Sequence, residues 1–107
     1  MPKAGDVVVL DFPGATGLKR RPAVVISSDL YHAHRPDVIL GVLTTRLAGA
    51  GTPTDYLLQD WASAGLRNPS AFRAYVLTCL PSATRRIGQL TARDWDAVRE
   101  RVRLALG

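Results

Sequence analysis

The chain has 107 residues, and 47% of them are hydrophobic. Its net charge is +5 at pH 7, and it contains one cysteine. This length is typical of a single domain, and the composition supports a small core without a metal. One cysteine excludes an intrachain disulfide, and the longest apolar runs are too short to span a bilayer. We therefore predict one domain over residues 1–107, located in the cytoplasm and without a membrane partner. The basic charge favours nucleic acid as a partner, or an acidic protein.

Two strands and a loop are predicted at the N-terminal end. Residues 7–12 are mostly β-branched and lie between Gly5 and the Pro13-Gly14 pair, which predicts a strand. The glycine-containing segment 13–21 is predicted to be a loop. Pro22 has no N–H group to donate, so we predict that it begins the second strand. The apolar residues 23–27 that follow predict a strand buried on both faces.

The middle of the chain is predicted to alternate strands with loops. Residues 28–37 form a polar connection, and residues 38–44 a third strand in which Gly41 marks a bulge or a close backbone approach. A loop over 46–54 precedes a short strand at 56–58 and a helical turn at 60–64 that ends at Gly65. The remaining segments are a long strand at 71–80 and a short strand or turn at 85–90.

A helix is predicted at the C-terminal end. Thr91 and Asp94 have the spacing of a capping box. Apolar residues then recur at intervals of three or four, at Trp95, Val98, Val102 and Ala105. Arg99, Arg101 and Arg103 lie between them and are predicted to face solvent. Several strands closed by a helix predict the α+β class, with a curled antiparallel sheet or partial barrel.

No sequence motif for a cofactor or a metal is present. The chain lacks a phosphate-binding loop, a dinucleotide-binding glycine motif and a zinc-protease motif. His32 and His34 have no further ligand nearby, so we assign them to a polar loop. Cys79 lies in a largely apolar run and is predicted to be a core residue. We predict neither a cofactor nor a metal.

Arginine and threonine residues are the strongest candidates for chemistry. Arginine offers a planar, permanently charged pair of donors that matches phosphate. Arg21 precedes the rigid Pro22, although a loop arginine can also be merely solvated. Thr44 ends a strand, and Arg73 lies within one, sharing a face with Tyr75 opposite Phe72 and Val76 by strand alternation. A groove containing Arg21, Thr44 and Arg73 would hold a phosphodiester.

The order of these segments resembles that of the MazF/PemK (Kid) toxins of type II toxin–antitoxin systems. The resemblance rests on the run from Gly5 to Phe12, a glycine-containing loop, and the run from Arg20 to Ser27. It continues through Leu43-Thr44, the segment 64–70, the strand with Arg73, the segment 87–91 and the final helix. It covers roughly residues 5–106, and the order and spacing of the pieces are more specific than any one of them.

The resemblance implies an SH3-like β-barrel with a C-terminal helix, a homodimer and a cognate small acidic antitoxin. It also implies metal-independent cleavage of single-stranded RNA, in which a ribose 2′-OH attacks its own phosphate and leaves a 2′,3′-cyclic phosphate. Residues matching catalytic positions are Arg21, Thr44 and Arg73. Residues predicted to bind RNA are Lys19, Arg20, Thr45, Arg46, Tyr75, Arg85 and Arg86.

Tyr75 is a departure from the family pattern. In one branch of the family the corresponding residue is an aspartate that serves as general base, whereas tyrosine is ordinarily a poor base at neutral pH. Tyr75 would donate a hydrogen bond, stack on a nucleotide or act as a base in an altered environment. The base would otherwise come from elsewhere, or activity would be weak or lost.

Two further functions remain open. One is a toxin that acts by binding, as the similarly folded CcdB does on DNA gyrase; CcdB relatives lack the Arg-Pro strand entry present here. The other is a catalytically silent module that binds RNA or protein, which the replacement at Tyr75 would fit. RNA cleavage with and without Arg21 separates the nuclease from both.

Overall fold

The computed structural model describes residues 2–107, apart from the side chains of residues 13 and 14. The strands are β1 (Asp6–Gly14), β2 (Gly17–Val25), β3 (Val38–Thr44), β4 (Tyr56–Leu57), β5 (Ala71–Cys79) and β6 (Arg85–Gln89). The helices are α1 (Asp29–His34) and α2 (Ala92–Leu106), with 3₁₀ turns at Ala62–Ala64 and Pro81–Ala83. The strands form one antiparallel sheet in the order β4-β5-β3-β2-β1-β6, curled into a half-barrel. The predicted α+β class, with a curled antiparallel sheet and a closing helix, is confirmed.

The segment predicted as a loop over 13–21 is instead most of a β-hairpin. β1 extends to Gly14, β2 begins at Gly17, and only residues 15 and 16 lie between them. Gly17 has a φ of +121°, which glycine adopts readily in a tight turn. Pro22 does not begin β2 but lies within it, opposite Val9. Because β2 pairs with β3 only over residues 23–25, the missing N–H group of Pro22 breaks no bond to β3.

The first three strands separate two hydrophobic cores. Residues 23–25 of β2 are fully buried, as predicted, but the strand predicted over 23–27 ends at Val25 and Ile26 is only half-buried. The first core contains Val7, Val24, Leu43, Phe72 and Val98 among its buried residues, and α2 packs against it through Val98. The second core lies on the other face and contains Val8, Leu10, Ala23, Val25, Val38 and Leu40. Alternate residues of β1, β2 and β3 therefore point to opposite cores.

Of the two alternatives predicted for Gly41, the bulge is confirmed, whereas the group that approaches Gly41 closely is a side chain and not a backbone. The pairing of β3 with β5 shifts between Gly41 and Leu43, so that residues 73–75 of β5 lie opposite Val42 alone. A Cβ atom at position 41 would overlap the ring of Phe72, which is fully buried. The sheet therefore requires glycine at this point and bulges next to it.

The polar connection predicted over 28–37 contains the short helix α1. Ser28 is its N-cap residue, and its Oγ accepts a hydrogen bond from the Tyr31 amide at 3.3 Å. The Tyr31 hydroxyl donates to Asp37 at 2.9 Å. His32 does not face open solvent as a loop residue would, since its Nε2 lies 2.6 Å from Ser27 Oγ. A serine followed by an acidic residue was the signal for this helix.

Helix α2 is confirmed, but its predicted capping box is wrong. Thr91 is the N-cap residue without a side-chain bond to the helix, because its Oγ1 donates to Asp60 at 2.7 Å. Asp94 is fully buried and accepts hydrogen bonds from the Tyr56 hydroxyl at 2.6 Å and from the amides of Gln59 and Asp60 at 3.1 and 2.8 Å. The acid thus joins α2 to the segment after β4.

The outer face of α2 is less uniformly solvated than predicted. Arg101 is only half-exposed: its Nε donates to the carbonyl of Asp55 at 3.0 Å, and its guanidinium lies 5.3 Å from the centre of the Tyr56 ring. Arg99 and Arg103 are exposed as predicted, whereas Ala105, assigned to the apolar stripe, is also exposed. The stripe therefore contacts the core only through Trp95, Val98 and Val102.

The remaining predicted elements are present. The turn at 62–64 ends at Gly65, which has a φ of +88°, and residues 85–89 are a strand rather than a turn. β5 ends at Cys79, one residue earlier than predicted. Over residues 2–107, neither helix has the length and apolar character needed to cross a membrane.

Substituting Gly41 with alanine should destabilise the protein by about 1–3 kcal/mol, because the added methyl group overlaps the Phe72 ring in a packed core. Urea denaturation at pH 7 measures this difference. The matched control is Gly51→Ala, where no atom lies within 4 Å of the added Cβ, and its effect should stay within about 0.5 kcal/mol. Equal stability of the two variants would contradict the close approach.

The stabilisation from Asp60 should disappear at low pH. Hydrogen bonds from Arg93 and then from Thr91 lower the pKa of Asp60 to about 2. An unfolded aspartate has a pKa near 4, so this stabilisation is complete above about pH 5 and is lost as the pH falls through about 2. The difference in unfolding free energy between wild type and Asp60→Asn should therefore be constant from pH 5 to 7 and shrink towards pH 2. A difference that persists unchanged at pH 2 would show that the carboxylate is not held ionised.

Candidate active site

An open cavity of about 500 Å³ lies on the same face of the sheet as the second core. We call it the Arg21 cavity, and it is lined by Phe12, Arg21, Val42, Thr44, Arg46, Arg73 and Tyr75. The fold thus brings together the three residues predicted to be catalytic, although they come from three different strands. It adds Arg46 and Tyr75, which were predicted to bind RNA. The roles of all five residues remain predictions.

Arg21 and Thr44 enter the cavity from neighbouring strands by simple alternation. Arg21 lies two residues before the buried Ala23 of β2, and Thr44 lies two residues after the buried Val42 of β3. Both side chains are half-buried. Thr44 Oγ1 accepts a hydrogen bond from the Arg46 amide at 3.1 Å. This bond fixes the hydroxyl oxygen and leaves its proton to be donated to a ligand.

Arg73 and Tyr75 enter the cavity from the bulge of β5. They share a face, as predicted, while Phe72 points into the first core. Ala74, between them, has a φ of +59° and packs against that core. A left-handed conformation costs an ordinary residue about 1–2 kcal/mol. Such strain is retained where the surrounding structure requires it, and it occurs here between two candidate site residues.

The polar side of the cavity is cationic. Among the ion pairs formed by residues 2–107, none involves Arg21, Arg46 or Arg73. The described lining contains no aspartate, glutamate, histidine or cysteine. Three guanidinium groups without a carboxylate partner form a site for an anion. No group of conventional general-base type lies among them.

The other side of the cavity is apolar and aromatic. Phe12, Val42 and Tyr75 form it, and the Phe12 and Tyr75 rings meet edge to face with centroids 6.0 Å apart. Tyr75 is 58% exposed, which is high for a large aromatic side chain next to a core. Phe12 was not predicted as a site residue. Its alternation with Val8 and Leu10, which point to the second core, was the available signal.

The remaining residues predicted to bind RNA lie elsewhere. Arg20, Thr45 and Arg85 line a second cavity of about 580 Å³, together with Arg67 and Asn68, which sequence reasoning did not single out. We call this second site the Arg20 cavity. Arg20 also lies 3.5 Å from Asp11, with both side chains largely exposed. Lys19 is exposed on β2 and lines neither cavity.

Arg86 has a structural partner. Its Nε lies 3.2 Å from a carboxylate oxygen of the buried Asp6, and its terminal nitrogen donates to Gln89 at 3.0 Å. It lines a separate cavity of about 410 Å³ near Pro81 rather than either arginine cavity. If Arg86 contacts RNA as predicted, it does so outside the Arg21 cavity.

Other reactive side chains contribute little to this site. In the described part of the chain, no group of three histidine, cysteine, aspartate or glutamate residues is placed to hold a metal ion. Cys79 packs against the second core, and burial raises the pKa of its thiol. It is therefore a poor nucleophile at neutral pH.

A half-barrel with a closing helix is the architecture of MazF-type toxins. A chain of a MazE–MazF crystal structure from Deinococcus radiodurans superposes with a TM-score of 0.77 at 23% identity, covering 99% of this chain and 96% of that chain. Mycobacterium tuberculosis toxin MazF-mt6 gives 0.74 at 22% identity, over 94% and 95%. A mycobacterial endoribonuclease in complex with its cognate antitoxin gives 0.80 at 20% identity, over 100% and 96%.

Family membership follows from the sequence itself. Residues 3–106 match the family of PemK-like, MazF-like toxins of type II toxin–antitoxin systems. The chain belongs to this family, and it is a toxin of such a system. No curated protein matches the sequence significantly.

Proposed function

We propose that this toxin is an endoribonuclease that cleaves single-stranded RNA without a metal ion. The observation that carries the proposal is the two-sided chemistry of the Arg21 cavity. Three arginines and a threonine face an apolar wall that contains two aromatic rings. A nucleotide has the complementary surfaces, since its phosphate is anionic and its base is flat and apolar on both faces.

In the proposed reaction a ribose 2′-oxygen attacks the adjacent phosphorus. The new O2′–P bond forms as the P–O5′ bond breaks, which leaves a 2′,3′-cyclic phosphate and a 5′-OH. Arg21 and Arg73 would hold the non-bridging oxygens, and Thr44 would donate its free hydroxyl proton to one of them. Removing one preorganised donor of this kind typically lowers the rate by about 10²–10³-fold.

Proton transfer in this proposal does not use a carboxylate or an imidazole. The described lining of the Arg21 cavity contains neither group. We therefore infer that hydroxide from solvent removes the 2′-OH proton, and that water protonates the departing 5′-oxygen. Tyr75 then serves as a surface for a base rather than as a proton acceptor, which accounts for the aromatic residue at that position. Stacking of one base on an aromatic side chain contributes about 1–3 kcal/mol.

The substrate and partners follow from the same features. Bases in a duplex are already stacked on each other, so contact with the aromatic wall favours single-stranded RNA. The net charge of +5 favours a small acidic protein as the cognate antitoxin. The mycobacterial structure described above is of an endoribonuclease in complex with its cognate antitoxin. A homodimer and a cytoplasmic location complete the proposal.

A second function is favoured by one observation. Because the described lining of the Arg21 cavity contains no carboxylate or imidazole to act as general base, the cavity would also suit a toxin that binds a target without cutting it. Such a protein would act on RNA or, like CcdB, on a protein such as DNA gyrase. RNA cleavage assays separate these functions, and inhibition of gyrase supercoiling tests the last of them.

Arg21→Ala should reduce RNA cleavage at least about 100-fold, because it removes a charged donor to the phosphate in a half-buried position. The measurement is cleavage of a mixed-sequence RNA pool by purified protein in EDTA. Arg35→Ala is the matched control, since Arg35 is exposed and lies outside both arginine cavities. Its activity should match that of wild type.

Three results would count against the proposal in different ways. RNA left intact by the wild-type protein would favour the binding function. Cleavage by wild type that stops in EDTA would contradict the metal-independent reaction. Equal activity of Arg21→Ala and Arg35→Ala would remove Arg21 from the site.

Tyr75 variants should separate stacking from proton transfer. Tyr75→Phe retains the ring and should keep kcat/KM within about threefold of wild type, whereas Tyr75→Ala should lower it about 10- to 100-fold through loss of stacking. With hydroxide as the base, the rate should rise about tenfold per pH unit between pH 6 and 8. A large loss in Tyr75→Phe would instead make the phenol a catalytic group, and a rate that levels off below pH 8 would reveal another base.

A further inference from the structure

The second arginine cavity, like the first, is lined by three arginines and a threonine. The Arg21 cavity contains Arg21, Arg46, Arg73 and Thr44, and the Arg20 cavity contains Arg20, Arg67, Arg85 and Thr45. Two residues of the first cavity, Arg21 and Thr44, are sequence neighbours of two residues of the second, Arg20 and Thr45. Because consecutive residues of a strand point to opposite faces, Arg20 and Arg21 of β2 divide between the two cavities. Thr44, the last residue of β3, and Thr45, the residue after it, also line different cavities. The cavities therefore lie back to back, on the two faces of the sheet where β2 and β3 end their pairing.

The Arg20 cavity is built on a rigid wall. The turn at 62–64 and β6 approach so closely that a Cβ atom on Gly65 would overlap the Ile87 carbonyl, and one on Gly88 would overlap the Ala64 carbonyl. This contact holds the segment after Gly65, which carries Arg67 and Asn68, against the strand that carries Arg85. Arg67 and Arg85 therefore line the same cavity from two segments that pack tightly against each other.

The charges of the Arg20 cavity are largely unneutralised. Within residues 2–107, Arg67 and Arg85 form no ion pair. Arg20 contacts Asp11 at 3.5 Å, but the side chains are 63% and 53% exposed, so this pair is weak and can be exchanged for a ligand. The cavity also offers the hydroxyl of Thr45 and the amide of Asn68, and unlike the Arg21 cavity it has no aromatic wall. These groups suit the backbone phosphates of a nucleic acid rather than its bases.

We propose that the Arg20 cavity binds backbone phosphates of the same RNA strand, beyond the nucleotides held in the Arg21 cavity. This inference rests on RNA as the substrate. The strand would cross the end of β2, passing from Arg21 on one face to Arg20 on the other. The toxin would then bind long RNA more tightly than a short substrate that fills the Arg21 cavity alone.

The test compares short and long RNA on a protein that lacks two charges of the Arg20 cavity. Fluorescence anisotropy measures binding of mixed-sequence 2′-fluoro RNA, which has no attacking hydroxyl, at lengths of 5 and 12 nucleotides and over a range of salt. Wild type should bind the 12-mer at least about tenfold more tightly than the 5-mer. The Arg67→Ala/Arg85→Ala variant should lose this advantage, and its slope of log K against log salt on the 12-mer should decrease by about 1.4, about 0.7 for each phosphate that the variant no longer neutralises.

The controls decide between a defined site and general charge. Arg35→Ala/Arg99→Ala removes the same charge from exposed positions outside both cavities and should keep the 12-mer advantage. The Arg67→Ala/Arg85→Ala variant should still bind the 5-mer, because a 5-mer fills the Arg21 cavity alone. Equal losses in the two double variants, or no length advantage in wild type, would overturn the inference. If Arg67→Ala/Arg85→Ala weakened the binding of polyglutamate as much as the binding of the 12-mer, the cavity would be a site for acidic protein, and the inference would also be overturned.

The nuclease proposal and the inferred phosphate site can fail independently in this experiment. If wild type cuts no RNA but the 12-mer advantage depends on Arg67 and Arg85, the nuclease proposal fails and the inferred phosphate site stands. If wild type cuts RNA and the advantage is insensitive to these arginines, the nuclease proposal stands and the inferred site fails. Thermal unfolding of each variant confirms that the substitutions of these exposed residues leave the fold intact.

Discussion

Phe72 lies over Gly41, in space that any side chain at position 41 would occupy. This contact fixes β5 against β3 beside the point where three residues of β5 lie opposite Val42 alone. Those three residues include Arg73 and Tyr75, and the residue between them adopts a left-handed conformation. The candidate site therefore depends on a packing interaction in the first core, on the opposite face of the sheet from the cavity that it shapes.

Strand alternation has the same importance on the other side of the cavity. The arginine pair at positions 20 and 21 lies within a strand, so its members point to different faces and serve different cavities. The buried Asp94 accepts hydrogen bonds from the amides of Gln59 and Asp60 and so holds α2 against the segment that leads to the turn at 62–64. That turn packs on β6 and forms one wall of the Arg20 cavity. A single sheet thus supports two cationic sites back to back.

Much of this arrangement was predictable from local sequence. β3 was predicted with its observed limits, because an unbroken apolar run bounded by polar residues is a strong strand signal, and Gly41 marked its bulge. The β1–β2 hairpin was missed because glycine and proline usually indicate a loop. Here glycine occupies a tight turn, and Pro22 occupies a position of β2 that pairs with β1 but not with β3. The capping box failed because Thr91 and Asp94 bond to residues more than 30 positions away, and no local pattern reports such contacts. Arg67 was overlooked for the same reason, since only the folded sheet brings it to its cavity.

The central claim is that the Arg21 cavity supports attack by a ribose hydroxyl on its own phosphate. The most direct measurement compares a single RNA substrate with an analogue in which the ribose at the cleavage site alone lacks its 2′-OH. The account predicts that wild-type protein in EDTA cuts the RNA, that mass spectrometry finds a 2′,3′-cyclic phosphate on the product, and that the analogue stays intact. Cleavage of the analogue at the same bond, or a product with a 5′-phosphate, would contradict the account.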